Sequence, residues 1–302
     1  MTTESSAPLV KIAPGWRLML AGLERLPQAL LSRAVGRIAE IPVPRPLRRL
    51  LYGGFARTVG IDLEELEQPL SDFPTFDAFF VRRLRAGARQ WPEDDSVLAC
   101  PVDGVIGACG RIEDGTAIQA KGRSYRTADL LGDVEGAARY DGGLFLTVYL
   151  APRHYHRIHA PVAGAVVHAR HLPGLLLPVN EPAVAAIDRL FARNERLSCT
   201  LDGPLGSVVV VAVGATNVGR ITVAFDDTWG TVRGVTNQSA ARRASTRCYD
   251  DPPAFQRGDE LMAFHLGSTV VLLTEPGFEL APTTRAHREV RMGEALAHRV
   301  VG

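Results

Sequence analysis

The sequence predicts an α+β fold in which a helical N-terminal segment is followed by a β-rich body. Three observations carry that prediction. Between Trp16 and Ile38, apolar residues recur at helical spacing (Trp16, Leu18, Met19, Leu23, Leu26, Leu30, Leu31, Val35, Ile38), punctuated by Pro27 and then by Pro42, Pro44 and Pro46. From about Val97 onward, glycine and β-branched residues dominate, in short apolar runs between tight turns. Near the C-terminal end, Val270-Val271-Leu272-Leu273 is apolar at every position and reads as a buried strand.

Composition sets the outer limits. A chain of 302 residues buries a large core, as one large domain or as one domain with an appendage. With 46% hydrophobic and 22% charged residues it has the make-up of an ordinary soluble globular protein. A net charge of +1 gives no global field for nucleic acid, so no nucleic-acid partner is expected. Lys11 and Lys121 are the only lysines, which leaves two candidates for the Schiff-base lysine that pyridoxal phosphate needs. The cysteines Cys100, Cys109, Cys199 and Cys248 form no C-x-x-C pair and read as reduced thiols in a cytosolic setting. No apolar run reaches the length of a membrane span, and Met1 to Pro8 lacks the order of a signal peptide.

In chain order, residues 1–10 are expected to be a flexible tail. Residues 11–95 form the helical, basic region. Within 11–57 nine basic residues stand against Glu24 and Glu40, a local balance of +7. A basic amphipathic segment is read either as a membrane-surface element or as helices packed on the core with a solvated basic face. Residues 58–75 turn acidic, and Phe76-Asp77-Ala78-Phe79-Phe80-Val81-Arg82-Arg83-Leu84 reads as a helix with an aromatic face and an arginine edge. The β-rich body spans 96–302, with strands expected at 144–150, 207–213, 220–225 and 269–274 and one helix at 181–193.

Three stretches of the body carry chemistry. Asp103 sits in the turn Pro101-Val102-Asp103-Gly104, where an aspartate most simply bonds its own backbone. His154, His156 and His159 fall within six residues, although the whole chain has eight histidines. On a regular strand His156 and His159 face opposite ways, so sharing a site requires a bulge or turn. In Gly267-Ser268-Thr269, a glycine permits a strained peptide whose carbonyl the Ser268 hydroxyl attacks once a base takes its proton; a plain turn entering a strand is the other reading. Asp103, His159 and Ser268 together are the parts of a charge-oriented nucleophile, but no G-x-S-x-G elbow surrounds Ser268. Arg153 and Arg157 flank the histidines and no carboxylate completes the set, so no metal is expected.

Taken together, Pro-Val-Asp-Gly at 101, Tyr-His-Arg-Ile-His-Ala-Pro from 155 and Leu-Gly-Ser-Thr from 266 resemble phosphatidylserine decarboxylase proenzymes of the bacterial and mitochondrial type. Gln119-Ala120-Lys121-Gly122, Leu130-Leu131-Gly132, Pro178-Val179-Asn180, 192–196 and 213–219 agree in order, and the likeness runs over 76–275. The resemblance implies self-cleavage between Gly267 and Ser268 into a β chain (1–267) and an α chain (268–302). Ser268 would become a covalent pyruvoyl group, the Schiff-base centre, with no pyridoxal phosphate and no metal. It gives Asp103 and His159 the relay for cleavage, and His156 substrate positioning or proton donation. It implies phosphatidylserine as substrate and phosphatidylethanolamine and CO2 as products, in phospholipid biosynthesis. It also implies an anionic membrane surface at 11–95, peripheral location on the cytoplasmic face of the cell membrane, and a possible homodimer. A pyruvoyl decarboxylase of a soluble amino acid, a serine hydrolase using Asp103, His159 and Ser268, and a non-enzymatic binding protein are the competing readings.

Overall fold

In the computed structural model, residues 28–120, 122–216, 220–227, 229, 243–267 and 269–300 are described. The expected tail at 1–10, the segment 11–27 and Ser268 lie outside the described residues.

The described N-terminal part is helical: α1 is Gln28–Ala39 and α2 is Arg45–Val59, which begins at Pro44 and Pro46 as the sequence pattern implies. A short helix, α3, covers Phe76–Phe80, and its N-cap Thr75 accepts a hydrogen bond from the Ala78 amide at 3.1 Å. These helices close a small core of their own. Tyr52 stacks on Phe79 at 5.1 Å between ring centroids, and Phe73 and Phe76 add edge contacts to Phe79. The helix expected over 76–84 ends at Phe80, because the Arg82 side chain turns away to donate to the Arg153 and His154 carbonyls at 2.9 Å each. No helix of the described residues is long and apolar enough to cross a membrane.

The body is strand-rich. Its first strands are β1 Val97–Ala99, β2 Gly104–Arg111, β3 Thr116–Ala120, β4 Arg123–Arg126 and β5 Leu144–Tyr149. Next come β6 Arg157–His159, β7 Gly164–Leu172, β8 Arg196–Gly203, β9 Gly206–Val213 and β10 Arg220–Val223. They are followed by β11 Ser245–Cys248, β12 Ala254–Phe255, β13 Glu260–His265 and β14 Thr269–Thr274. The last are β15 Phe278–Leu280, β16 Glu289–Val290 and β17 Ala295–Arg299. One antiparallel nine-stranded sheet dominates, in the order β11-β7-β8-β9-β14-β5-β2-β16, with β12 alongside β7. A three-stranded sheet β10-β13-β6 carries the chain into β14, and a second, β1-β17-β15, holds the C-terminal end.

Strand β14 lies mid-sheet. Val270 pairs with Val148 on one side and Ala212 on the other, and Leu272 with Leu146 and Val210. Every residue of β14 is buried, so both of its faces are covered. That explains a continuous apolar run where a half-exposed strand would alternate. Burying each of these aliphatic side chains stabilises the fold by roughly 1.5–3 kcal/mol.

The helix expected over 181–193 is two short ones, α6 Glu181–Ala186 and α7 Leu190–Arg193 (α4 Thr127–Leu131 and α5 Val134–Ala138 precede them). The break has a tertiary cause. Gln119 donates to the Val184 and Ile187 carbonyls at 2.8 and 2.7 Å and accepts from the Leu190 amide at 2.7 Å. Arg123 takes the Ala185 carbonyl, and Arg189 turns left-handed at φ 51°. Side chains more than 60 residues away thus take up the groups that a continuing helix would use internally.

At the start of β5, Gly143 has no room for a side chain, because a Cβ there would overlap the Thr274 carbonyl at the end of β14. Gly143→Ala should therefore cost about 1–3 kcal/mol of stability through forced displacement of the β5–β14 pair. Urea unfolding compared with wild type measures it, and an unchanged midpoint contradicts that packing.

Candidate active site

The site is built where β13 hands the chain to β14. Gly267 lies in the three-residue passage between the two sheets, and Leu266 before it is held at φ 89°, in the left-handed region that non-glycine residues avoid. Atoms close to Gly267 come from the segment between β5 and β6: a Cβ at Gly267 would lie 3.6 Å from the Leu150 carbonyl oxygen and 3.8 Å from His156 Nε2. The predicted residue His156 is thus placed against the predicted cleavage position. It is fully buried and packs on Phe80 at 4.1 Å between ring centroids. Neither of its ring nitrogens has a hydrogen-bond partner among the described residues, nor does the buried hydroxyl of Thr269. Burial, followed by the nearby Arg82 guanidinium, pushes the His156 imidazole well below its ordinary value, so the ring stays neutral.

His159 sits at the end of β6 with both ring nitrogens engaged. Nδ1 lies 2.6 Å from the Gly258 carbonyl, an oxygen that only accepts, so Nδ1 carries the proton and donates. Nε2 is then the lone-pair nitrogen and accepts from the Tyr155 hydroxyl at 3.2 Å. Burial lowers the His159 pKa from its ordinary value, against the Gly258 carbonyl, which favours the charged form.

Asp103 is buried at the start of β2, in a turn whose Gly104 lies so close to β5 that a Cβ would sit 2.6 Å from the Tyr149 carbonyl oxygen. The Asp103 carboxylate bonds outward, not to its own turn. Arg89 Nε donates to Oδ1 at 2.9 Å and Arg89 Nη2 to Oδ2, while the Met292 amide donates to Oδ1 at 2.8 Å. Arg89 also grips Glu65 with two hydrogen bonds of 2.8–2.9 Å. Burial alone would lower the Arg89 pKa, but its bonds to these two carboxylates outweigh that and raise it. Among the described residues no hydrogen bond joins Asp103 to His159. Their connection is through the backbone, where the His159 amide donates to the Pro101 carbonyl at 2.9 Å.

A cavity of about 340 Å³ opens over this ion-pair cluster, lined by Arg82, Arg89, Asp103, His154, Tyr155 and Glu289 among others. Gly267 and His156 are not among its lining residues, so the cavity belongs to the cluster and not to the bend. His154 accepts from the Ala151 amide at Nδ1 (2.9 Å) and bonds Glu289 through Nε2 at 3.3 Å. Among the described residues no three His, Cys, Asp or Glu side chains are grouped to hold a metal ion.

The motifs name His156 and Gly267 without bringing them together, and they give no role to Arg89, Glu65, Tyr155 or the Gly258 carbonyl. Arg89 and Glu65 carry no local signal; each is one charge in a charged stretch. Tyr155 was legible only as the residue before His156, and its partner His159 is four positions on.

Known proteins resemble this chain over most of its length. The phosphatidylserine decarboxylase family matches residues 76–298. The chain is 45% identical over 281 residues to the phosphatidylserine decarboxylase proenzyme of Anaeromyxobacter sp. (strain K), covering 93% of this chain and 98% of that one. It is 39% identical to the proenzyme of Myxococcus xanthus, over 84% of this chain and 88% of that one. With the proenzyme of Brevibacillus brevis it shares 38% identity over 94% and 98%.

The Arg89 side chain is 6% exposed and Asp103 is 9% exposed, so removing the arginine strands a buried carboxylate. Arg89→Leu should lose about 3–5 kcal/mol of folding free energy, measured by denaturant unfolding. Arg89→Leu with Asp103→Leu should recover part of that loss, since the buried Asp103 charge is then gone and only Glu65 is left, more exposed at 18% and still bonded by Arg291 at 3.3 Å. Additive losses would contradict the pairing.

Proposed function

The chain belongs to the phosphatidylserine decarboxylase family, and on that premise we propose how its residues make a proenzyme and then decarboxylate phosphatidylserine to phosphatidylethanolamine and CO2. The observation that carries the site assignment is the buried His156 imidazole against Gly267, without a hydrogen-bond partner among the described residues, beside a strained Leu266.

Self-processing comes first. His159, with Nε2 as its basic nitrogen, takes the Ser268 hydroxyl proton, and the oxygen attacks the Gly267 carbonyl carbon. The Gly267–Ser268 C–N bond breaks, so an ester replaces the amide and an amine is freed at 268. Loss of the α-proton of residue 268 then expels the Gly267 carboxylate. Water enters and ammonia leaves, and the new chain begins at a pyruvoyl group. Attack on an amide is feasible because the nucleophile is held next to its target by the chain itself, which supplies a large effective concentration.

The tautomer of His159 is supported by the Gly258 carbonyl, which occupies the position a relay carboxylate would take. Asp103 acts in this proposal from the neighbouring turn. It is tied to β6 through Pro101, with its charge held by Arg89. A direct Asp103–His159 contact would replace the Arg89 pair.

The residues present fit the pyruvoyl group at 268. Buried polar atoms without partners are costly, about 1–3 kcal/mol each, and three of them lie on His156, whose Nε2 is 3.8 Å from a Cβ built on Gly267, and on Thr269. The group supplies the electron sink that loss of a carboxylate requires. His156, neutral and shielded from water by Phe80, orients the carboxylate that leaves and returns a proton to the α-carbon.

The lipid is reached through the helical arm. Ile38 is 66% and Leu50 76% exposed, and Leu31, Ile41, Leu47 and Leu51 are exposed with them. Arg37, Arg45 and Arg49 lie exposed among them. Arg45 also pairs with Asp72 at 3.4 Å at the surface, and Arg48 does not belong to this set, since it is committed to the Val43 and Ser71 carbonyls at 2.8 Å. Exposed aliphatics with arginines suit an anionic membrane surface, each cation adding about 1 kcal/mol there. The protein is accordingly peripheral, on the cytoplasmic face.

The test is CO2 release from phosphatidylserine vesicles. The wild-type chain should release it and free serine should not replace the lipid. Ser268→Ala should release none, and an active Ser268→Ala protein would overturn the account. Because burial lowers the His159 pKa from the ordinary 6.5, more than half of the base is still unprotonated at pH 6.5. Self-cleavage should therefore keep more than half of its plateau rate at pH 6.5; a rate already halved at or above 6.5 contradicts the lowered pKa.

A further inference from the structure

The strain at Leu266 has to be held from both ends. Downstream, Thr269 is fixed by the ladder of β14, opposite Tyr149 and Val213. Upstream, the last residue of β13 is His265, whose backbone pairs with Arg220 of β10. Its side chain is buried and bonded at both ring nitrogens. Nδ1 lies 2.9 Å from each carboxylate oxygen of Asp77, and Nε2 lies 3.3 Å from the Thr222 hydroxyl. A carboxylate only accepts, so Nδ1 carries the proton and Thr222 donates to Nε2.

Asp77 is itself positioned. It lies in α3, the short helix of the N-terminal core, and its Oδ2 also accepts from Arg220 Nη2 at 3.2 Å. Arg220 in turn reaches Glu40, just beyond α1, with Nη1 at 2.6 Å. One network thus ties the helical part of the chain to the strand end from which the bend departs. A left-handed conformation costs a non-glycine residue roughly 1–2 kcal/mol and persists only where the surroundings over-determine it. The ring of His265, gripped at both nitrogens one residue before Leu266, is such a determinant.

We propose that Asp77 and His265 are positioning residues for self-processing: the pair pins the end of β13 and so holds Leu266 and the Gly267 peptide in the bend from which cleavage proceeds. This rests on reading Gly267–Ser268 as the bond that is cut. Neither residue is placed at the reacting atoms; both act through the backbone of Leu266.

The experiment follows fragment formation with time after cell-free synthesis of the full chain, for wild type, His265→Asn, His265→Leu and Thr222→Val. Asparagine and leucine are close in size, but the asparagine amide nitrogen takes the place of Nδ1 and donates to Asp77. His265→Asn should therefore cleave within about threefold of wild type, whereas His265→Leu should be slower on the order of ten- to a hundredfold. Thr222→Val keeps the shape and removes only the Nε2 partner, so it should slow cleavage by roughly fivefold. A purely packing role predicts the reverse order for leucine and asparagine. Equal rates for those two variants, or a wild-type rate for His265→Leu, overturn the proposal while leaving the cleavage reading intact. If His265→Leu does not fold, a wild-type rate for Thr222→Val overturns it instead. A wild-type chain that stays whole overturns the cleavage reading itself, and the proposal with it.

Discussion

Strand β14 is hydrogen-bonded along both edges and covered on both faces, and the proposed chemistry takes place just before its first residue, Thr269. A cut between Gly267 and Ser268 frees one end of this strand without removing a rung of either ladder. The fragment that begins there also carries Met292 and Glu289, whose bonds to Asp103 and Arg153 add polar ties to the rest of the body. Cleavage therefore divides the chain without dividing the core. A strand with one free edge would not hold a severed fragment in the same way, since its edge would be open to other partners.

The bend itself joins two sheets, since β13 ends at His265 and β14 begins at Thr269. Self-attack on a peptide needs a carbonyl held out of the usual conformations and a base kept neutral close by. The structure supplies a non-glycine residue at φ 89° and two histidines lowered by burial, of which His156 lies against Gly267 and His159 against Gly258 and Tyr155. The two rings are not equivalent. His156 has no hydrogen-bond partner among the described residues and lies against Gly267, whereas His159 is fixed in one tautomer by Gly258 and Tyr155. The division of labour proposed above rests on that difference, with His156 for a ligand group and His159 as the oriented base.

Much of this was legible in the chain. The uninterrupted run Val270–Leu273 announced a buried strand because both its faces are covered, and the strands expected near 144, 207 and 220 lie within two residues of those found. The order of the Asp103, His156 and Gly267 motifs pointed to the family. What could not be read is what depends on distant partners. The break after Ala186 is made by Gln119 and Arg123, and no local propensity marks it. The Asp103 carboxylate was expected to bond its own turn; Arg89 and Met292 claim it from 14 and 189 positions away. Asp77 and His265 are 188 residues apart, and only the packing of α3 on the end of β13 brings them together.

The most direct measurement is the intact mass of the purified protein under denaturing conditions. The account predicts two species, residues 1–267 and residues 268–302, the smaller one lighter by one ammonia than a peptide beginning with serine. A single full-length mass from a protein that nevertheless releases CO2 from phosphatidylserine would contradict it, because the electrophile would then come from somewhere other than Ser268.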